Sequence, residues 1–279
     1  MNQPGQHDIR LKGIRPAAVA GQFYPRDPVE LRKLVKLLLG NAAPGAGPAP
    51  KALIVPHAGY VFSGPIAASA YARLAPARDT IKRVVLIGPA HRAAFDGLAT
   101  VSVSAFATPL GLAPVDAAGL RELASLPDVS VNDRAHANEH SLEVQLPFLQ
   151  TVLSDFALVP LLAWQAAPEA ISRVLDALWG GPETCIIVSS DLSHYCVPAV
   201  AQQLDKATAA AIEALSPEGI SEDGACGRRP ICGLLQAARS RRLRARALDL
   251  RNSGDTGGPR HQVVGYGAFV FEEQRAASS

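Results

Sequence analysis

The chain has 279 residues, of which 48% are hydrophobic and 19% charged, with a formal net charge of +2. That length buries a substantial core as one large domain or two small ones, and the composition is that of an ordinary globular protein. The near-zero charge gives no electrostatic argument for nucleic acid or a membrane surface, and no apolar run approaches the roughly 18 residues of a membrane span.

In chain order, residues 1–14 are polar and read as a flexible N-terminal arm, and residues 15–273 as a single domain. A helix is expected at 28–40, followed by a Pro/Gly/Ala-rich loop at 40–50. Strand-like and helix-like segments then alternate. The strands are expected at 51–56, 83–88, 98–103, 156–162, 184–190, 246–250 and 261–271, and the helices at 65–75, 170–180, 198–215 and 230–242. Several strands are unbroken apolar runs, as in central strands covered on both faces. In "SLEVQLPFLQTVL" Leu142, Leu146, Leu149 and Leu153 share a helical face that Pro147 interrupts, so a kink or a late helix start is expected. The alternation predicts an α/β fold, a mainly parallel or mixed central sheet flanked by helices, with the last strand returning antiparallel.

The four cysteines, Cys185, Cys196, Cys226 and Cys232, show no zinc-type spacing and no CxxC pair. With no apolar leader segment in "MNQPGQHDIRLKG", the reading is a reduced cytoplasmic protein with free thiols. The basic run "RSRRLRAR" (239–246) lacks interleaved aromatics and reads as a solvated helix end.

Three strands end alike. The run 51–56 leads into His57, 83–88 into His91, and 184–190 into Asp191 and His194. A helix between the first two makes a β-α-β unit with a right-handed crossover. Parallel strands put such residues on the edge where open α/β sheets bind ligands. A lone histidine after a strand is more often a hydrogen-bonded turn residue, but two on one edge, framed by Pro56, Gly59 and Pro89, favour a metal site. Two imidazoles suit iron, zinc or copper better than magnesium or calcium. Candidates for a third ligand are Asp191, Glu139, Asp255 and the thiol of Cys226, whose thiolate the following helix and Arg228 and Arg229 would favour. His194 with Asp191 is either a turn-stabilising contact or a proton-transfer group. His140 suits a capping or surface role as well as chemistry, His261 a structural one, and His7 and His136 are assigned none. Gly59, Gly64 and Gly88 are expected to let the backbone approach a ligand, and Arg92, Arg228 or Arg229 to hold an anionic substrate.

The segments "AAVAGQFYPRDPVEL", "VPHAGYVFSGPIAASAY", "IGPAHR", "NEHSLEVQLPFLQ", "SSDLSHY", "CGRRPICG" and "NSGDTGG…VVGYGAFVF" together resemble the Memo family, in prokaryotes also called AmmeMemoRadiSam system protein B. The resemblance runs in order from about Ala17 to Phe271. It implies the fold of the LigB-type class III extradiol dioxygenases, which are non-haem iron enzymes. By it, His57, His91 and Cys226 are the metal ligands, and Asp191 and His194 the other site residues, His194 standing in the place of the dioxygenase acid/base. A cysteine here replaces the dioxygenase carboxylate, which makes the site softer. The function implied is a metal-dependent oxidoreductase with iron, then copper or zinc. The alternative is an adaptor or binding module that uses the same pocket for phosphorylated or carboxylated ligands, or sequesters metal. The expected partner is a small-molecule or peptide substrate, with a pathway link to radical-SAM and AMMECR-type proteins and none to nucleic acid or membrane.

Overall fold

The strands, in chain order, are β1 (Ile14–Arg15), β2 (Ala52–Val55), β3 (Arg83–Pro89), β4 (Gly97–Thr100), β5 (Ala105–Thr108), β6 (Gly111–Pro114), β7 (Val129–Val131), β8 (Ala157–Trp164), β9 (Thr184–Ser189), β10 (Leu243–Asn252) and β11 (Gly265–Glu273). The helices are α1 (Pro28–Asn41), α2 (Tyr60–Tyr71), α3 (Ala117–Leu123), α4 (Asp133–Ala137), α5 (Leu146–Val152), α6 (Pro168–Ala177), α7 (Pro198–Glu213), α8 (Arg228–Ser240) and α9 (Ser253–Thr256). They come from a computed structural model that describes residues 11–43 and 47–273. Residues 1–10 of the expected arm, with His7, and residues 44–46 of the expected loop lie outside the described residues.

One eight-stranded sheet, in the order β10-β11-β2-β9-β3-β8-β4-β7, forms the middle of the fold. Its central strands β2, β9, β3 and β8 are parallel, while β11 and β4 run antiparallel to their inner neighbours. The unbroken apolar runs are the reason. Ala52 to Val55, Val84 to Ile87 and Ile186 to Val188 are fully buried, so both faces of each strand need cover, and the helices provide it. Helices α1, α2 and α5 pack as one group, α6 against α8, and α7 against β10 and β11. The Asp27 carboxylate caps α1 by accepting from the N–H groups of Val29 and Glu30, and Pro28, Pro168 and Pro198 open α1, α6 and α7. Pro147 likewise falls in the first turn of α5 after a 3-10 turn at Glu143–Gln145, so the interrupted leucine face is a late helix start. None of the described helices is long and apolar enough to cross a membrane.

Segments that sequence patterning did not pick out form a small second sheet, β1-β5-β6. Leu11 packs against the core, the Lys12 N–H donates to the Ser102 carbonyl, and Ile14 pairs with Ala105. The last residues of the expected arm are therefore held in place. Next along the chain, Arg15 forms a buried ion pair with Glu143. Glu143 also accepts from the N–H groups of Ala18 (2.7 Å) and Val19 (3.0 Å) and from the Tyr24 hydroxyl (2.6 Å). Arg15 also donates to the carbonyls of Pro16, His136 and Glu139.

Removing one partner leaves an uncompensated buried charge, so Glu143→Ala is expected to cost about 3–5 kcal/mol, measured as a lowered urea midpoint. The paired replacement Arg15→Met with Glu143→Leu is expected to recover only part of that loss, because it removes the uncompensated charge but leaves the N–H groups of Ala18 and Val19 and the Tyr24 hydroxyl without their acceptor.

Candidate metal centre

Three adjacent parallel strands deliver the first residues of the site. His57 stands two residues past the end of β2, His91 two past β3, and Asp191 two past β9. The β2–β9–β3 pairing therefore puts them on one edge of the sheet. Cys226 reaches the same edge from the loop before α8. The Cys226 N–H donates to the Asp191 carbonyl (3.3 Å) and the Gly227 N–H to the Ser190 hydroxyl (2.8 Å). A Cβ at Gly227 would lie 2.6 Å from that of Ser190, so only glycine lets this loop come so close.

The tautomer of His57 follows from its neighbours. The Ser189 hydroxyl donates to the Ser141 carbonyl (2.6 Å) and accepts from Gln145 Nε2 (2.9 Å), so it accepts the Nδ1 proton of His57 (2.9 Å). The Nε2 lone pair of His57 is left 3.3 Å from Cys226 Sγ. The buried Asp191 carboxylate accepts the backbone N–H of His57 at 2.7 Å.

Glu139 plays the corresponding part for two further imidazoles. Its Oε1 accepts from Nδ1 of His91 (3.0 Å) and lies 3.1 Å from Nδ1 of His140, and the carboxylate also takes the backbone N–H groups of His91, His140 and Ser141. Both rings thus keep Nε2 free. The ring centroid of His140 is 4.7 Å from that of His91 and 5.4 Å from that of His57, with Phe23 packed on it at 4.8 Å. His140 therefore belongs to the site. The one sequence signal for it is the run of polar residues, Glu139 to Ser141, before an apolar helix, all set against the strand ends.

His194 is exposed at the rim and donates from Nδ1 to the Leu192 carbonyl (2.8 Å), so the backbone, rather than Asp191, orients it. Asp255 is occupied in capping α9, where it accepts the Asn252 N–H, and is no ligand. A Cβ at Gly88 would press on Ser141 and Leu142, and one at Gly64 on Leu38, so these glycines make room for packing, not for a ligand. Arg92 is exposed and stands outside the cavity wall, which includes Arg228 and Arg229. His136 is buried, donates from Nε2 to the Ala99 carbonyl, and is pushed down to about 4 mainly by burial. His261 is exposed in the bend before β11.

A family model described as "Memo-like protein" matches residues 15–270. The chain belongs to the Memo-like family. It is 34% identical over 270 residues to a MEMO1 family protein of Aquifex aeolicus, covering 92% of this chain and 99% of that one. With a relative of that name from Methanopyrus kandleri it shares 37% over 282 residues, 92% of this chain and 98% of the other. With one from Methanosarcina barkeri it shares 36% over 275 residues, 93% and 100%.

In this Memo-like protein His57, His91 and Cys226 could hold a metal: their donor atoms all lie within 4.8 Å of one another. Burial, then the charges of His91 and His140, lower the His57 pKa well below its ordinary value, so the ring is neutral and ready to bind. Burial would raise the Glu139 pKa, but hydrogen bonds from His140 and His91 hold it well below the carboxylate range. The Asp191 pKa is raised by burial against the His57 N–H that favours its ionised form. Cys226 runs against the sequence expectation. Burial and then the Asp191 charge push its thiol up to about 12, outweighing the hydrogen bonds with Ser190 and with the backbone of Asp191 and Gly227 that favour the thiolate.

A thiol with so high a pKa must lose its proton to bind a metal. Between pH 7 and 9 it is protonated in the free protein while His57 is already neutral. Apparent metal affinity should therefore rise about tenfold per pH unit from this proton alone, and Cys226→Ala should flatten the slope in chelator competition. The orienting carboxylate is tested separately: Glu139→Gln is expected to lower metal affinity by about 10–100-fold, read in the same competition, with the metal-free melting curve as the fold control.

Proposed function

We propose that this protein is a metal-dependent oxidoreductase of the dioxygenase-like kind, with iron held by His57, His91 and Cys226, and copper or zinc as the next choices. The observation that carries the reading is the convergence of two imidazoles and a thiol, with the other nitrogen of each imidazole already committed to an orienting partner. Structural histidines have no need to present three free Nε2 atoms to one space. When bound, a redox-active metal would supply electron exchange with O₂ or an organic substrate. Three protein donors leave room for an exogenous ligand.

The chain's own residues would do the rest. His194, with Nδ1 committed to Leu192, would accept or return a substrate proton at Nε2. Asp191 would act through His57, whose backbone it holds. His140 would offer a second Nε2 beside the ligands. A small-molecule or peptide substrate in a cytoplasmic pathway shared with radical-SAM and AMMECR-type proteins is the setting we infer.

The test is elemental analysis of anaerobically purified protein beside His57→Ala and Cys226→Ala. Near-stoichiometric iron or copper in the wild type, lost in both variants, is the expected result. A wild type that takes up no transition metal even on reconstitution would overturn the reading and leave a binding module.

A further inference from the structure

Two cavities meet at one pair of arginines. The inner cavity, about 370 Å³, is walled by His91, Trp164, Gln165, Cys226, Arg228 and Arg229. An outer groove of about 780 Å³ lies beyond and shares Arg228 and Arg229, with Glu169, Glu218 and Arg239 also on its wall. Each shared arginine is tethered through backbone: Arg228 Nε donates to the Ile220 carbonyl (2.8 Å) and one terminal nitrogen of Arg229 to the Ala166 carbonyl (3.1 Å). A guanidinium has five N–H donors, so each tether aims the group and leaves most of its donors over. Among the described residues neither arginine has a carboxylate within ion-pair distance, whereas Arg15, Arg73, Arg83, Arg173, Arg241 and Arg251 do.

The carbonyl that tethers Arg229 follows a strained turn. Gln165 has a φ of +45°, a left-handed conformation that costs a non-glycine residue energy and concentrates at ligand sites. The same turn leaves Trp164 37% exposed on the cavity wall, an apolar plane beside two aimed cations. Glu222 is the one acid on the inner wall.

Resting on the metal-site reading above for where the reactive end would lie, we propose that Arg228 and Arg229 form an oxyanion subsite. It takes a small organic anion, a carboxylate or a phosphate ester, whose body lies along Trp164 and whose far end reaches His57, His91 and Cys226. Guanidinium forks match the paired oxygens of both groups.

Isothermal titration with benzoate and with phenyl phosphate, on metal-loaded and metal-free protein, tests this. At least one probe is expected to bind wild type while neutral benzyl alcohol does not, and the tighter one identifies the oxyanion as carboxylate or phosphate. Arg228→Gln with Arg229→Gln should weaken that probe by about tenfold or more, as for the loss of charge-assisted hydrogen bonds, with metal content unchanged. Arg173→Gln, a surface residue paired with Asp128, should bind as wild type does. Should the glutamine pair unfold, the lysine pair, which keeps the charge and loses the fork, carries the test with weaker binding than wild type. Failure of both probes to bind, equal binding of benzyl alcohol, or undiminished binding by the substituted proteins overturns the subsite. Arginine-dependent binding to protein that takes up no metal would sink the metalloenzyme and keep the subsite; metal uptake with arginine-independent binding would do the reverse.

Discussion

The buried contact between Arg15 and Glu143 is the constraint on which the site depends. Glu143 gathers the backbone of Ala18 and Val19 and the hydroxyl of Tyr24, which fixes the segment that lays Phe23 on His140. Arg15 in turn binds the carbonyl of Glu139. One ion pair thus locks the N-terminal segment to the loop that carries Glu139, His140, Ser141 and Gln145. Its two charges are excluded from water, and they persist because nearly every donor and acceptor on them is matched.

From that loop the polar order spreads to the strand ends. Gln145 bridges the Pro56 carbonyl and the Ser189 hydroxyl and accepts from Tyr71, joining β2, β9 and α2 beneath the site. His57, His91, His140 and His194 all have Nδ1 committed, to Ser189, to Glu139 twice and to Leu192. This shared arrangement turns four separate histidines into a set of Nε2 atoms with fixed direction. Burial keeps His57 neutral and Cys226 protonated, so neither of these two residues adds a charge beside the buried carboxylates of Glu139 and Asp191.

Much of this was legible in the order of residues. Apolar runs without alternation marked the central strands, and residues following three of them marked the edge where chemistry gathers. Pro147 marked a late helix start. The hairpin of β5 and β6 was not legible, because its strands have four residues each and carry no periodicity long enough to register. His140 was ambiguous for a different reason. A histidine beside a glutamate in a polar stretch looks like a capping pair, and only the fold brings strand ends on both sides of it.

The sequence by itself determined the α/β alternation, the family, and the residues His57, His91 and Cys226 as candidates, since these depend on local periodicity and on motifs that read in order along the chain. The tertiary structure decided what those residues do to one another. It placed Glu139 as the orienting carboxylate, assigned Asp191 to the backbone of His57 and not to His194, withdrew Asp255 to a helix cap, and raised the Cys226 thiol where the local pattern pointed downward. The physical reason is that hydrogen-bond partnership and desolvation are set by groups distant in sequence. Glu143 meets Arg15 across 128 positions and Cys226 meets His57 across 169, separations over which no local pattern carries information.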